Sequence, residues 1–191
     1  MSDKHLNSTP VSMSFREYCA NYGALNGKFL ARWEMLFGPL PPLQKKPVST
    51  KLKVYLAASY SRREEMCRYR YQLESSGHIE VTSRWIKGEH QAENDELVHG
   101  GSATRFASED IKDLDDAVVV VNFTEEPRGT SSRGGRHVEF GYALAMRKHV
   151  IVVGPRENVF HCIGTVRVFS NWMAALSSIL DLAKAYISSR G

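Results

Sequence analysis

The sequence predicts a three-layer α/β sandwich around a five-stranded, mostly parallel sheet. Apolar runs of strand length alternate with segments of helical periodicity through residues 51–190. The run from Ala117 to Phe123, Ala-Val-Val-Val-Val-Asn-Phe, is apolar without alternation, as a central strand covered on both faces must be. A glycine-rich loop, a short helical segment and a further buried run, His149 to Val153, follow it in the order of a strand–helix–strand unit.

Composition bounds what such a domain can do. At 191 residues the chain is long enough for one domain of ordinary size with a real core. No apolar run reaches membrane-spanning length, and the polar N-terminus lacks the apolar core of a signal peptide. Three widely spaced cysteines, Cys19, Cys67 and Cys162, give no disulfide framework and point to a reducing, cytoplasmic setting. The net charge of +4 fits an anionic small ligand or weak contact with nucleic acid, though most such excess is simply solvated surface. There is no basic stripe interleaved with aromatics, so no nucleic-acid module is expected.

The elements follow in order. Residues 1–12 are polar, and Phe15 to Phe37 carries aromatics on one or two helices. Gly38-Pro-Leu-Pro-Pro42 opens a linker to Thr50, so residues 1–50 read as a leader and 51–191 as the main domain. Lys53 to Ala58 is a first strand. Ser59-Tyr-Ser-Arg-Arg63 is a turn with Ser61 as N-cap, and the helix behind it runs to Ser76, turning Met66, Tyr69 or Arg70, and Leu73 inward. Gly77 closes it, and Ile79 to Ser83 is the second strand. Arg84 to Ser102 is polar and long, as a ligand-covering loop would be. Thr104 to Asp116 is a helix whose buried face is read as Ala107, Ile111 and Leu114. Asp110 falls inside that stripe, while Asp113, Asp115 and Asp116 fall outside it. The glycine-rich loop at Gly134-Gly135 precedes a helix from Arg136 to Arg147, with Val138, Tyr142 and Ala145 inward. Glu139 is placed in its first turn, where unpaired N–H groups and the helix dipole would keep a carboxylate ionised. Thr165 to Phe169 is a weaker fifth strand. Trp172, Leu176, Ile179, Ala183 and Ile187 mark a last amphipathic helix. The expected strand order is 2-1-3-4-5, a flavodoxin- or Rossmann-like arrangement, with ligands beyond the carboxyl ends of the strands.

The chemistry narrows to a few side chains. There is no phosphate-loop or dinucleotide signature and no zinc spacing, and His161-Cys162 is a lone pair in which Cys162 reads as a buried structural thiol. Asp110 and Glu139 remain, with Tyr55 on the first strand able to donate to either. Two carboxylates flanking a glycosidic carbon are what glycosyl transfer needs: one attacks or stabilises the cationic centre, the other handles a proton at the leaving group. Each has a plainer reading. Glu139 suits any helix start, Tyr55 any core, and Asp110 a cap or a salt bridge.

Across residues 53–172 the chain resembles the nucleoside 2-deoxyribosyltransferase family. The matching pieces are Val54-Tyr-Leu-Ala-Ala58, Asp110 with Asp116-Ala-Val-Val-Val-Val121, and His137-Val-Glu-Phe-Gly-Tyr-Ala-Leu144. Arg133-Gly-Gly-Arg-His-Val-Glu-Phe-Gly141 and Gly154-Pro-Arg-Glu-Asn-Val-Phe-His161 are similar to a phage and bacterial branch of it. The resemblance implies that Glu139 is the nucleophile attacking C1′ of a 2′-deoxynucleoside, that Asp110 exchanges a proton with the base, and that Tyr55 holds the nucleophile. It implies that Asn158 reaches the sugar hydroxyl of a neighbouring subunit's site in a homo-oligomer. It also implies a small-molecule nucleoside or nucleotide as partner, and neither metal nor organic cofactor.

The departures bear on substrate. Arg133 stands where the family often has an aspartate, with Glu125 and Glu126 the acids nearby. The loop Ser59, Ser61, Arg62 and Arg63 is similar to the phosphate-binding loop of deoxynucleoside 5′-monophosphate N-glycosidases, and equally to a solvated helix start. Arg133, Arg136 and Arg156 could add to an anion site. Trp85, Gly134 and Gly135 complete the candidate substrate-binding set. Three readings therefore stand: deoxyribosyl transfer between bases, hydrolysis of 5′-monophosphates, and a non-catalytic nucleotide sensor whose aromatic leader meets a partner.

Overall fold

The computed structural model of the chain describes residues 49–88, 100–126 and 134–190. The leader as far as residue 48, most of the loop expected to cover a ligand, and Arg133 lie outside the described residues. The sheet has five strands: β1 (Leu52–Ala57), β2 (Ile79–Val81), β3 (Val119–Phe123), β4 (His149–Val153) and β5 (Arg167–Phe169). All pairings are parallel and the order is β2-β1-β3-β4-β5, as expected from the sequence. Helices α1 (Arg63–Glu74), α2 (Gly101–Asp116), α3 (Gly135–Ala145) and α4 (Trp172–Ser188) cover it. The central strands need both layers: every residue of β3 is buried, and Val54 to Ala57 of β1 are closed off from solvent.

One layer holds α1 and α4. Tyr69 of α1 stacks on Trp172 of α4, with ring centres 4.3 Å apart, and both rings lie over Phe123 of β3. The Trp172 indole N–H donates to Gln72 at 2.6 Å, tying the last helix to the first. The other layer holds α2 and α3, joined by a 2.5 Å hydrogen bond from the Tyr142 hydroxyl to Asp115. Lys148 then donates to the Ala117 carbonyl at 2.6 Å, pinning the turn before β4.

Helix faces differ from the sequence reading, by one residue in α2 and by two in α3. In α2 the buried side chains are Phe106, Asp113 and Leu114, while Ala107 and Ile111 are exposed. Asp110 stays on the inward stripe, and Asp113 joins it because Arg84 meets it there: backbone N–H and Nε of Arg84 each donate to its carboxylate at 2.8 Å. In α3 the buried set is Arg136, Phe140 and Ala143; Val138 and Ala145 face solvent. In both helices a polar residue with a partner distant in sequence claims the core side.

Smaller corrections concern the ends. Ser61 makes no cap hydrogen bond; α1 begins directly from the turn Tyr60–Arg62, with Arg62 at its N-cap. The segment Arg84–Lys87 is not open loop but a 3-10 turn that buries Trp85 and Ile86. Cys162 is exposed rather than buried, as is Cys67. Gly154, at φ +117°, sits so close to Thr124 that a Cβ there would collide with the threonine side chain. That closeness draws together the chain segments leaving β3 and β4.

Candidate active site

The sheet order reverses between β1 and β3, and the loops leaving these strands part there, where open α/β sheets bind ligands. Tyr55 of β1 is fully buried and turns toward the α2/α3 layer. Its hydroxyl donates to Glu139 Oε1 at 2.6 Å, across 84 residues of sequence. Burial holds the Tyr55 hydroxyl well above its ordinary pKa, and the charges of Glu139 and Asp110 push it the same way. It is therefore a permanent donor at neutral pH.

Glu139 is not in the first turn of α3. The helix starts at Gly135, so Glu139 lies in the second turn, beyond the unpaired N–H groups that were to keep it ionised. Burial instead raises its pKa from 4.5 to about 7; the Tyr55 hydrogen bond opposes that rise and the Asp110 charge adds to it. The expectation of a firmly ionised carboxylate gives way to one poised near neutrality, which is where a catalytic acid or base is useful. Asp110, half-buried on α2, is close enough to act electrostatically on both Glu139 and Tyr55. The three residues singled out in the sequence thus form one cluster. Asn122 lies on the same sheet face, since Tyr55 pairs with Val120 and Ala57 with Asn122. It is fully buried, and its side-chain amide has no hydrogen-bond partner among the described residues.

The remaining candidates are placed as follows. Ser59 and Ser61 share a 3.1 Å contact, and the Ser59 hydroxyl donates to Glu125 at 2.5 Å. Arg62 is forked onto Glu65 at 2.7 and 2.8 Å and lies over the Phe123 ring. Arg63 turns toward the β2 side, donating to the Ile86 carbonyl at 3.3 Å. Trp85 donates its indole N–H to the Leu56 carbonyl at 2.9 Å and packs in the core. Gly134 supplies the N-cap of α3 at φ +87°, with Gly135 the first helical residue. Asn158 caps the 3-10 turn Val159–Cys162 by accepting from the Phe160 N–H at 3.0 Å.

A second polar cluster sits beside the first and was not singled out as a unit in the sequence. Arg136 is 2% exposed, yet it is a full turn before Glu139 on the inward face of α3. Its guanidinium is paired with Glu157, and Glu125 lies 4.0 Å away. Glu157 also accepts the Glu125 backbone N–H at 3.0 Å. The buried His161 accepts the Glu157 backbone N–H on Nδ1 at 3.2 Å, and burial lowers its pKa. Arg136 Nη1 is therefore committed to Glu157, while Nε and Nη2 have no hydrogen-bond partner among the described residues. Only the helical spacing of positions 136, 140 and 143 was visible in sequence; the buried acid that an inward arginine requires was not. Among the described residues no group of histidine, cysteine or acidic side chains is arranged to hold a metal ion.

No family model matches the sequence, and no curated protein matches it significantly. Among solved structures, the chain is similar to the CMP N-glycosidase BcmB of Clostridium botulinum. Identity is 22% over 68% of this chain and 98% of that chain, with a TM-score of 0.43.

Proposed function

We propose that the chain cleaves the N-glycosidic bond of a (deoxy)nucleoside or of its 5′-monophosphate through a covalent glycosyl ester on Glu139. The observation that carries this reading is the 2.6 Å hydrogen bond from Tyr55 to Glu139, with Asp110 acting on both. Tyr55 occupies Oε1, so Oε2 is the oxygen that attacks C1′. The new C1′–O bond forms as the C1′–N bond breaks. The electron pair of that bond goes to the base, which takes a proton from the Asp110 carboxyl. In the second half, a base nitrogen or water attacks C1′ and Glu139 leaves as carboxylate. Asp110 recovers a proton from the incoming nucleophile. With a base as acceptor the outcome is deoxyribosyl transfer; with water it is hydrolysis.

The test is base release and base exchange, followed by chromatography over a panel of nucleosides and 5′-monophosphates. Glu139→Gln is expected to lower kcat/KM at least about a thousandfold, because the nucleophile is lost. Acid-quenched wild-type enzyme is expected to carry the mass of one pentosyl adduct from a nucleoside, or of one phosphopentosyl adduct from a 5′-monophosphate. Wild-type protein that releases no base from any member would end this reading. A Glu139→Gln protein with wild-type rates would remove Glu139 from the mechanism.

A further inference from the structure

We infer that Asn122 is a further substrate-binding residue, whose amide hydrogen-bonds the hydroxyl edge, C2′ and C3′, of the sugar that meets Glu139 at C1′. The inference rests on the proposed glycosidic chemistry at Glu139. Six polar or charged residues are buried among the described ones: Asn122 and five others. The five each have a partner inside. Ser83 accepts from the Leu56 N–H and donates to the Leu56 carbonyl. Asp113 takes Arg84, Thr124 donates to the Val153 carbonyl, Arg136 holds Glu157 through Nη1, and His161 accepts the Glu157 N–H. Asn122 is fully buried, and neither its amide nitrogen nor its amide oxygen is paired among the described residues.

Local structure gives no reason for that amide. Asn122 interrupts a run of valines in a central strand, where valine is favoured and asparagine is not. Burying it unpaired destabilises the fold. A local rule broken without a compensating contact is what functional sites show. Its place says which ligand group completes it. Asn122 pairs with Ala57, so it faces the α2/α3 layer as Tyr55 does, two residues or about 7 Å nearer the carboxyl ends of the strands. Tyr55 gives its hydrogen bond to Glu139 on α3, which packs across β1, β3 and β4. A sugar with C1′ at Glu139 therefore extends over the layer of Asn122, toward the opening of the switch point. The strand neighbours in that layer, Ala57 and Val152, have no side-chain group to bond it. An amide carries both donor and acceptor, as a hydroxyl does. In the free protein the amide is closed off from bulk water. It pairs when the side chain turns to meet hydroxyls held beside Glu139.

The experiment compares a nucleoside with its 2′,3′-dideoxy counterpart bearing the same base, by base release and by calorimetric binding, in wild type, Asn122→Val and Asn122→Ser. The intrinsic difference in reactivity between the two sugars is common to all three proteins and cancels. The ratio of kcat/KM values, nucleoside over dideoxynucleoside, is expected to fall at least about tenfold in Asn122→Val, because only the hydroxylated sugar loses a partner. Asn122→Ser keeps a donor and an acceptor on a shorter arm and should lower the ratio less. Asn122→Val is also expected to melt at or above the wild-type temperature, since it removes an unpaired polar group from a valine run. A ratio that both variants leave unmoved overturns the assignment. So does an Asn122→Val protein that melts well below wild type or does not fold, because the amide then has a structural partner. A hydroxyl preference in binding that depends on Asn122, without base release, leaves the assignment standing and ends the glycosidic reading instead. Binding of neither sugar ends both.

Discussion

At the scale of single residues, the site turns on the protonation of Glu139. In the proposed mechanism Glu139 attacks as the carboxylate and must be ionised, and its pKa is near 7. The rate constant kcat/KM is therefore expected to fall on the acid side of about pH 7, which a pH–rate profile reads directly. Tyr55 donates to the ionised form and so holds the value down. Tyr55→Phe removes that donor, so the acid limb should move to higher pH, and an unmoved limb would show that Tyr55 does not govern ionisation. The same shift has a stability side. Below about pH 4.5 Glu139 is protonated in both folded and unfolded chains. Between 4.5 and about 7 only the unfolded chain ionises, so stability is lost as pH rises through that window and stays lost above it. A rise from 4.5 to about 7 corresponds to at most about 3 kcal/mol. Glu139→Gln should be more stable than wild type by up to that amount at pH 8, with the gain gone at pH 4. Urea unfolding at the two pH values tests it. Such a gain on loss of the proposed nucleophile is what a site that trades stability for function gives.

At the scale of elements, α3 is held from two sides. Its hydrophobic side, Phe140 and Ala143, packs on the sheet, and Arg136 at its start is clamped by Glu157 from the segment after β4. An arginine buried this completely depends on its carboxylate partner. Glu157→Gln is expected to cost about 3 kcal/mol, since it leaves the cation under-compensated. Adding Arg136→Met to that variant should recover part of the loss. A denaturant double-mutant cycle with no coupling would show that the pair does not anchor the helix. This clamp also explains what the sequence hid. Apolar periodicity alone put Val138 and Ala145 inward on α3 and Ala107 and Ile111 inward on α2. Arg136 and Asp113 reversed both faces because Glu157 and Arg84 neutralise them inside. The helices themselves were legible. Their rotation depended on charge pairs that no local pattern displays.

At the scale of the whole molecule, sheet order was readable from the sequence because alternating strands and helices admit few parallel arrangements. Tyr55, Asp110 and Glu139 were readable as candidates for the same reason. Each stands near a strand end or on an inward helix face, and the switch point brings those places together. The contacts between loops, Ser59 with Glu125 and Glu125 with Glu157, depend on strand register and on the close approach of Gly154 to Thr124, so they were not. The two helical layers divide the work. The α2/α3 layer carries the charged side chains of the site. The α1/α4 layer carries the stack of Tyr69, Phe123 and Trp172, which joins the first and last helices through the sheet. If that division holds, damage to the second layer should weaken the fold without retuning the site. Trp172→Ala removes a 7% exposed ring and the hydrogen bond to Gln72, and is expected to cost about 3–5 kcal/mol. Near- and far-UV circular dichroism should still report one coincident transition, because the stack spans sheet and both helices. Among molecules that remain folded, the acid limb near pH 7 should stay in place. A shifted limb would mean that packing beneath β3 reaches Glu139, and that the layers act as one.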